Sequence, residues 1–427
     1  MDGLPTQHVN ASQPCVKQAV WLESHCPKSV LGKPLSSNQV SLLALGSGMS
    51  VANIYFAQPL LPEFSATFAV TSAQVGQLIS MAQLGSVLAL VFLLPLGDRM
   101  DRRCLLLIQA LALVVMLVLL GLAPSLGWAY AAMLGVGLLA TAMTQGLIAY
   151  AASVAQPAEQ GQVLAKVQAG VFLGLLLARV VAGGVSDIAG WRMVYLSSAA
   201  CMLLLACLLW RSLARVNTSL AVNTSQVTGS YPRFIGSMLA LLWRHRLLQV
   251  RGMLALLMFA VFNIFWSALS LALSAPPYAY SNTAIGALGL VGAIGALAAT
   301  QAGRWLDKGA HRQVTLIALL LLAIAWWPLA FMSWSLAALM LGIILLDMGG
   351  QALHVSNQSL LLRSNAEQQQ GSMIGMYMLF YALGSALGAA AGTAVFAHDG
   401  WQGVCLLGFS LSALALVFWL ATRRVLS

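Results

Sequence analysis

The sequence predicts an all-α membrane protein, with twelve transmembrane helices arranged as two pseudo-symmetric six-helix bundles. Three observations carry that expectation. The 427 residues are 60% hydrophobic and only 7% charged, with a mean hydropathy of +0.86, whereas soluble domains carry roughly 25% charged residues. Apolar stretches near the roughly 20 residues that cross a bilayer recur along the whole chain. The chain also repeats itself at an offset of about 210 residues.

The expected spans are about 41–61, 74–96, 104–123, 127–154, 164–188, 192–210, 250–274, 283–303, 314–333, 335–361, 372–396 and 402–421. Backbone amides in hydrocarbon must bond internally, so these segments are helices. The expected organisation is a polar cytoplasmic tail (1–39), an N-terminal bundle (40–210), a cytoplasmic linker (211–249), a C-terminal bundle (250–421) and a short cytoplasmic tail (422–427). The linker contains VNTSLAVNTSQVTGSY, rich in turn-forming and small polar residues. Residues 1–39 lack a basic start followed by an apolar core, so no cleavable signal peptide is expected.

The formal charge of +10 has a topological explanation. With the N-terminus inside, Lys and Arg fall in the termini and in alternate loops. Of the 21 basic residues, only Arg192 is placed on the outer side and only Arg179 deep in a span. That asymmetry orients the chain with both ends cytoplasmic and argues against a nucleic-acid partner. The six cysteines, at 15, 26, 104, 201, 207 and 405, show no metal or redox spacing, and no cofactor is expected.

The repeat is visible by eye. VANIYF at 51–56 returns as VFNIFW at 261–266, aligning Asn53 with Asn263. Gly161, Gly174, Gly190 and Trp191 return as Gly371, Gly384, Gly400 and Trp401. Two parallel six-helix repeats are the architecture of a large class of secondary transporters, which bind substrate between the halves near mid-membrane. Tyr55, Gln58 and Pro59 have no polar or proline counterpart at Phe265, Ala268 and Leu269, which marks them as candidates for function specific to this chain.

Two loops match each other. GRWLDKGAHR (303–312) fits G-x-x-x-D-[RK]-G-x-x-[RK] through Gly303, Asp307, Lys308, Gly309 and Arg312, and LPLGDRMDRR (94–103) keeps Asp98, Arg99, Arg102 and Arg103. With these loops, the twelve spans and the repeat, the chain resembles the major facilitator superfamily over about 40–421. Leu94 and Asp101 stand where that family usually has glycines. The tracts NIYFAQPLLP, PLGDRMDRR and LLDMGGQALHVSNQ are similar to a bacterial subgroup described as efflux permeases. The resulting expectation is a monomer in the bacterial cytoplasmic (inner) membrane.

The resemblance implies that the loops lock the cytoplasmic side in the outward-facing state. Physically, a carboxylate such as Asp98 can face the positive N-terminus of a helix in the other half, while neighbouring arginines reach carboxylates or carbonyls. Glu159 and Glu367, just before the fifth and eleventh spans, are candidate partners. The alternative is that Arg99, Arg102 and Arg103 only enforce topology.

The fifth span carries small residues at Gly170, Gly174, Ala178, Ala182, Gly183 and Gly184, a face for close helix packing. The family's antiporters have Gly-Pro where Ala178-Arg179 stands here. Arg179 is costly in a membrane and needs a cavity or a partner. The tenth span offers Asp347, with Gln351, His354 and Gln358 on the same helical face. Two readings of Asp347 stay open: a proton carrier, or a static pair with Arg179. His354 is read as a hydrogen-bonding group or a proton carrier.

By resemblance, the first, fourth, seventh and tenth spans line the cavity. Its candidates are Asn53, Tyr55, Gln58, Thr141, Gln145, Asn263, Trp266 and Gln351, with Thr144 and Ser267 nearby. Such an amide-rich, aromatic lining suits a neutral or amphipathic solute. Asn53 and Asn263 could equally be interhelical glue. Drug–proton antiporters of the family carry Arg three residues before a Gln-Gly, and here that place is Ala142 before Gln145-Gly146.

The functional expectation is therefore not an enzyme but a secondary transporter working by alternating access, with a small-molecule substrate, protons and the lipid bilayer as partners. No G-x-x-x-x-G-K-[ST] phosphate loop is present to drive it with ATP. Proton-coupled efflux is the leading mode. Uptake or facilitated diffusion of a sugar-like metabolite is the runner-up, and a transport-inactive membrane sensor is the rival from another class.

Overall fold

The computed structural model describes residues 35–98, 100–156, 159–213, 231–363 and 370–423. Among these, eleven helices are long and apolar enough to cross a membrane. The last of them, Gln370–Thr422, is interrupted at Gly400 (φ 62, ψ −156). Gly190 separates the fifth and sixth spans in nearly the same conformation (φ 80, ψ 161), one repeat earlier. Both positions need the positive φ that glycine adopts freely. Gly400 thus divides the eleventh span from the twelfth, and the protein is an all-α membrane protein of two six-helix bundles.

Several elements differ from the sequence expectation. The first span runs from Ser37 to Phe68, longer than expected, and is broken at Phe56. Pro59 has no N–H to give the Tyr55 carbonyl, which explains the break. The extension brings Glu63 into the helix. The second span ends in a π turn at Ala89–Leu93 and a 3₁₀ turn at Pro95–Asp98. The expected linker contains a helix, Tyr231–Arg244, and the seventh span starts at Arg246. That helix buries Met238 against Leu248, Met376 and Tyr377.

Two large apolar cores correspond to the two bundles. One gathers residues such as Leu43, Phe64, Tyr150 and Tyr195, the other Phe265, Trp326, Leu346 and Trp419. Small residues let the backbones approach within and between them. A Cβ at Gly170 or Gly174 would strike the first span at Ala44 or Gly48, and one at Gly384 or Gly388 would strike the seventh at Leu256 or Ala260. Gly183 faces the backbone of Asn282 across the bundles, while Gly184 has only the Thr283 hydroxyl within 4 Å. The glycine-rich face of the fifth span therefore serves both its own bundle and the interface.

The bundles meet where the fifth span packs on the eighth (Asn282–Asp307) and the second (Ser72–Gly97) on the eleventh. We call the membrane face that carries the linker and residue 423 the basic face. Among the described residues, side-chain bonds between the two transmembrane bundles lie from mid-depth toward the opposite face, while at the basic face Tyr231 of the linker helix donates to the Phe92 carbonyl of the second span. Ser80 donates to the Ala386 carbonyl at 2.8 Å, and the Glu63 and Asp187 contacts described below lie at that far face.

Candidate functional site

At mid-depth the two bundles bring Arg179 of the fifth span to the centre of a polar cluster. Its Nε donates to Gln58 Oε1 at 2.7 Å. The guanidinium lies 4.2 Å from the centroid of the Trp266 ring and 5.7 Å from that of Tyr55, as a weakly hydrated planar cation prefers. Gln58 Nε2 reaches Asn263 Oδ1 at 3.5 Å, bridging the first and seventh spans. The hydroxyls of Tyr55 and Tyr381 are hydrogen-bonded across the bundles, and Phe259 packs edge-on against Tyr381 with ring centroids 3.9 Å apart.

Asp347 of the tenth span completes the cluster electrostatically. It feels the charge of Arg179, yet among the described residues only Arg363–Asp307 forms an ion pair within 4.0 Å. The side chains rest instead on glycines of the eighth span. Gly289 lies against Arg179, and Gly292, where that helix is broken, lies against the Asp347 carboxylate. Asp347 is 6% exposed, and its Oδ2 has no hydrogen-bond partner among the described residues. A buried carboxylate oxygen without a donor is costly, and the cost is relieved by a proton, a cation or a polar ligand.

Six predicted site residues thus converge: Tyr55, Gln58, Asn263, Trp266, Arg179 and Asp347. Gln351, one turn beyond Asp347, is half-buried and makes no hydrogen bond with a described residue. His354 lies further toward the basic face, where its Nδ1 is 2.8 Å from the Tyr377 hydroxyl. Phe259 packs on it edge-to-face with centroids 5.4 Å apart. The hydrogen-bonding role is the one this geometry provides.

Other predicted residues are placed elsewhere. Asn53 is fully buried and accepts from the Ser198 hydroxyl at 2.7 Å within its own bundle, so its amide is spent on packing. Thr141 donates to Ser86 at 2.7 Å, again inside the N-terminal bundle, and Thr144 donates to Ala140 of its own helix. Gln145 is half-buried without a hydrogen bond to a described residue.

In the loops, Arg102 donates to the carbonyls of Gly97 (3.3 Å) and Ala149 (2.8 Å), and Arg103 to that of Trp210. All three acceptors lie in the same half. Asp307 pairs with Arg363 at 3.1 Å, also within one half. Glu159, Lys308 and Arg312 are exposed, and Gly303 has open space around it. The side chain of Asp98, together with Arg99 and Glu367, lies outside the described residues.

The sequence reading missed three groups. Glu63 accepts from the Ser186 hydroxyl (2.6 Å) and the Trp191 amide (3.0 Å), and from the Asn282 side chain across the bundles. Asp187 accepts from the backbone amides of Asn282 (3.0 Å) and Thr283 (2.9 Å) and from the Thr283 hydroxyl (2.6 Å). A carboxylate from one half therefore sits at the N-terminus of a helix in the other, the contact expected of Asp98 but at the opposite face. Glu63 was missed because the first span was expected to end at about residue 61. Tyr381 had no signal at all, being one aromatic among lipid-compatible neighbours. The third group is Arg251, expected with the linker's surface charges but only 5% exposed in the seventh span.

A family model described as Major Facilitator Superfamily matches residues 43–301 and 252–426. The chain belongs to the Major Facilitator Superfamily. Among its relatives is the "Uncharacterized transporter YgaY" of Escherichia coli O157:H7, 36% identical over 392 residues, which cover 90% of this chain and 95% of that protein. A Streptomyces coelicolor relative described as a transporter, SCO4007, is 32% identical over 393 residues, 89% of this chain and 86% of that one. Among solved structures, a bacterial homolog of the human lysosomal transporter Spinster, inward-facing and unoccupied, superposes with a TM-score of 0.75. It is 16% identical, with 92% of this chain and 98% of that one covered. The nucleoside transporter NupG gives 0.70 at 14% identity, over 90% and 99% of the two chains. Superfamily membership makes this chain a multi-pass membrane transporter.

Proposed function

We propose that this superfamily member is a secondary active transporter that exports a small neutral or amphipathic solute from the bacterial cytoplasm in exchange for protons. The observation that carries the reading is the cluster at mid-depth. A buried carboxylate, Asp347, with an oxygen that has no hydrogen-bond partner among the described residues, stands with the half-buried Arg179 against neighbouring glycines at the seam of two bundles. Both rest on glycines of a helix broken between them. A proton on Asp347 relieves the unsatisfied oxygen, and its release restores the attraction to Arg179. The two charge states thus differ in how they hold the eighth span against the fifth, the coupling that alternating access requires.

The aromatic and amide lining supports the substrate class. Trp266, Tyr55, Tyr381 and Phe259 supply apolar faces, while Gln58, Asn263 and Gln351 supply hydrogen bonds without net charge. Arg179 already engages Gln58 and Trp266, which leaves it less available to an anionic substrate. The basic face is read as cytoplasmic from the placement of Lys and Arg. On that reading the Glu63 and Asp187 contacts close the periplasmic end, which supports an inward-facing arrangement. In the outward-facing state, the loop carrying Asp98 takes over as the lock.

The test is transport into proteoliposomes under an imposed pH gradient, with substrates drawn from a screen of an overproducing strain scored for resistance and uptake. A gradient-driven flux that disappears in Asp347→Asn, with substrate exchange intact, is the expected result. Gradient-driven flux at the native rate in that variant overturns the coupling role. Accumulation of solute by the overproducing cells, in place of resistance, overturns the export direction.

A further inference from the structure

At the basic face of the C-terminal bundle, the seventh, ninth, tenth and twelfth spans surround a cavity of about 390 Å³. Arg251, His311, Arg312 and Arg423 contribute to its wall, with Trp419 and Leu360 as apolar neighbours and no carboxylate among the described lining residues. The acid nearest in sequence, Asp307, is occupied by Arg363 at 3.1 Å.

Arg251 is the unusual member. It is 5% exposed, and its described acceptors are neutral: Nη1 donates to Thr315 Oγ1 at 3.2 Å and Asn357 Oδ1 at 3.3 Å. Among the described residues its Nε has no acceptor, and His311 Nδ1 and Asn357 Nδ2 have no hydrogen-bond partner. A buried cation without a counter-charge costs several kcal/mol, a cost that an anion entering the cavity removes. The guanidinium fork matches the spacing of two oxygens on a phosphate or carboxylate, a match that lysine lacks. Arg423 flanks the cavity with its guanidinium 5.9 Å from the Trp419 ring, adding a second cation above an apolar floor.

We propose that this cavity binds a phosphate-type oxyanion, with Arg251 as its buried anchor and His311, Arg312 and Arg423 around it. The site lies well away from the Asp347–Arg179 cluster and does not depend on the transport reading. Two sources share the chemistry: the headgroup of an anionic phospholipid, or a soluble phosphate.

The experiment measures thermal unfolding of the purified full-length protein in neutral detergent. One arm titrates inorganic phosphate against chloride at constant ionic strength. The other adds phosphatidylglycerol in mixed micelles, with phosphatidylcholine as the control. The expected result is a saturable rise in midpoint in at least one arm, and the arm that responds names the source. Arg251→Gln should weaken binding roughly 10- to 100-fold, the range for losing a charge-assisted hydrogen bond. Arg251→Lys should restore it only in part. If the Arg251 variants do not fold, Arg312→Gln with Arg423→Gln decides, with a smaller loss of affinity expected. No saturable response in either arm overturns the proposal. So does unchanged affinity in Arg251→Gln or, failing that, in the double variant.

Discussion

Asn53 and Asn263 occupy equivalent places in the two bundles, and each donates its side-chain amide to the carbonyl four residues earlier, at 2.8 Å to Met49 and 3.1 Å to Phe259. Their carbonyl oxygens part company. That of Asn53 accepts from Ser198 inside its own bundle, while that of Asn263 faces Gln58 across the seam. The same asymmetry runs through the central cluster. One repeat later, Arg179 is replaced by Ala389, Gln58 by Ala268 and Tyr55 by Phe265, and Glu63 and Asp187 of the far-face contacts by Leu273 and Ala397. Most of the central cluster therefore lies at positions where the duplication has been lost, Asn263 being the duplicated position that joins it.

The sharpest way to break that comparison is at Asp347. Asp347→Asn should reduce gradient-driven transport to background while exchange continues, measured by proteoliposome flux with and without a pH gradient. Arg179 comes next. Arg179→Lys keeps the charge but loses the planar stacking on Trp266, and transport should fall roughly tenfold or more, as expected for a charge-assisted contact worth about 1.5–3 kcal/mol. A native rate in Arg179→Lys would mean that point charge alone suffices.

The far-face contact should give a conformational effect. Asp187→Asn, which leaves the helix N-terminus of Asn282–Val291 without its carboxylate, should shift the population toward the state open at that face by about tenfold. Spin labels on the exposed residues Ser125 and Ser333 read the separation of the two bundles by electron–electron resonance. An unchanged distance distribution would remove Asp187 from the gate. The smallest effect sharpens the asparagine pair itself. Asn53→Ala should cost about 0.6–1.7 kcal/mol of stability, the range for interhelical hydrogen bonds in membranes, and leave substrate affinity alone. Asn263→Ala should do the reverse. Equal behaviour of the two would show that the halves are used alike at this position.

The fold was largely legible in the sequence. Hydropathy placed the spans, because a helix in hydrocarbon has no choice about its length or its internal hydrogen bonding. The offset of 210 residues aligned Gly190 with Gly400, and both stand at positive φ between spans. The central site was partly legible, because Arg179 and Asp347 are expensive in a membrane and stand out for that reason. Of the two readings of Asp347, the direct pair with Arg179 is not among the ion pairs within 4.0 Å of the described residues, and the broken eighth span sits beside both side chains.

Residues whose roles depend on segments distant in the chain were the ones that escaped. Tyr381 looks like any apolar-tolerant aromatic until Tyr55 is brought to it. Glu63 and Asp187 look like ordinary residues at helix ends until the eighth span begins against them. Arg251 is one basic residue in a basic stretch until the ninth and tenth spans bury it. Local chemistry in a membrane is governed by the cost of a polar group in lipid, which each segment reports by itself. Pairing is governed by which surfaces meet when the bundles close, which no single segment contains. The sequence by itself therefore determined the spans, the duplication and the costly charges of this protein. Only the tertiary structure decided which of its polar groups face one another, and at which end the two bundles are joined.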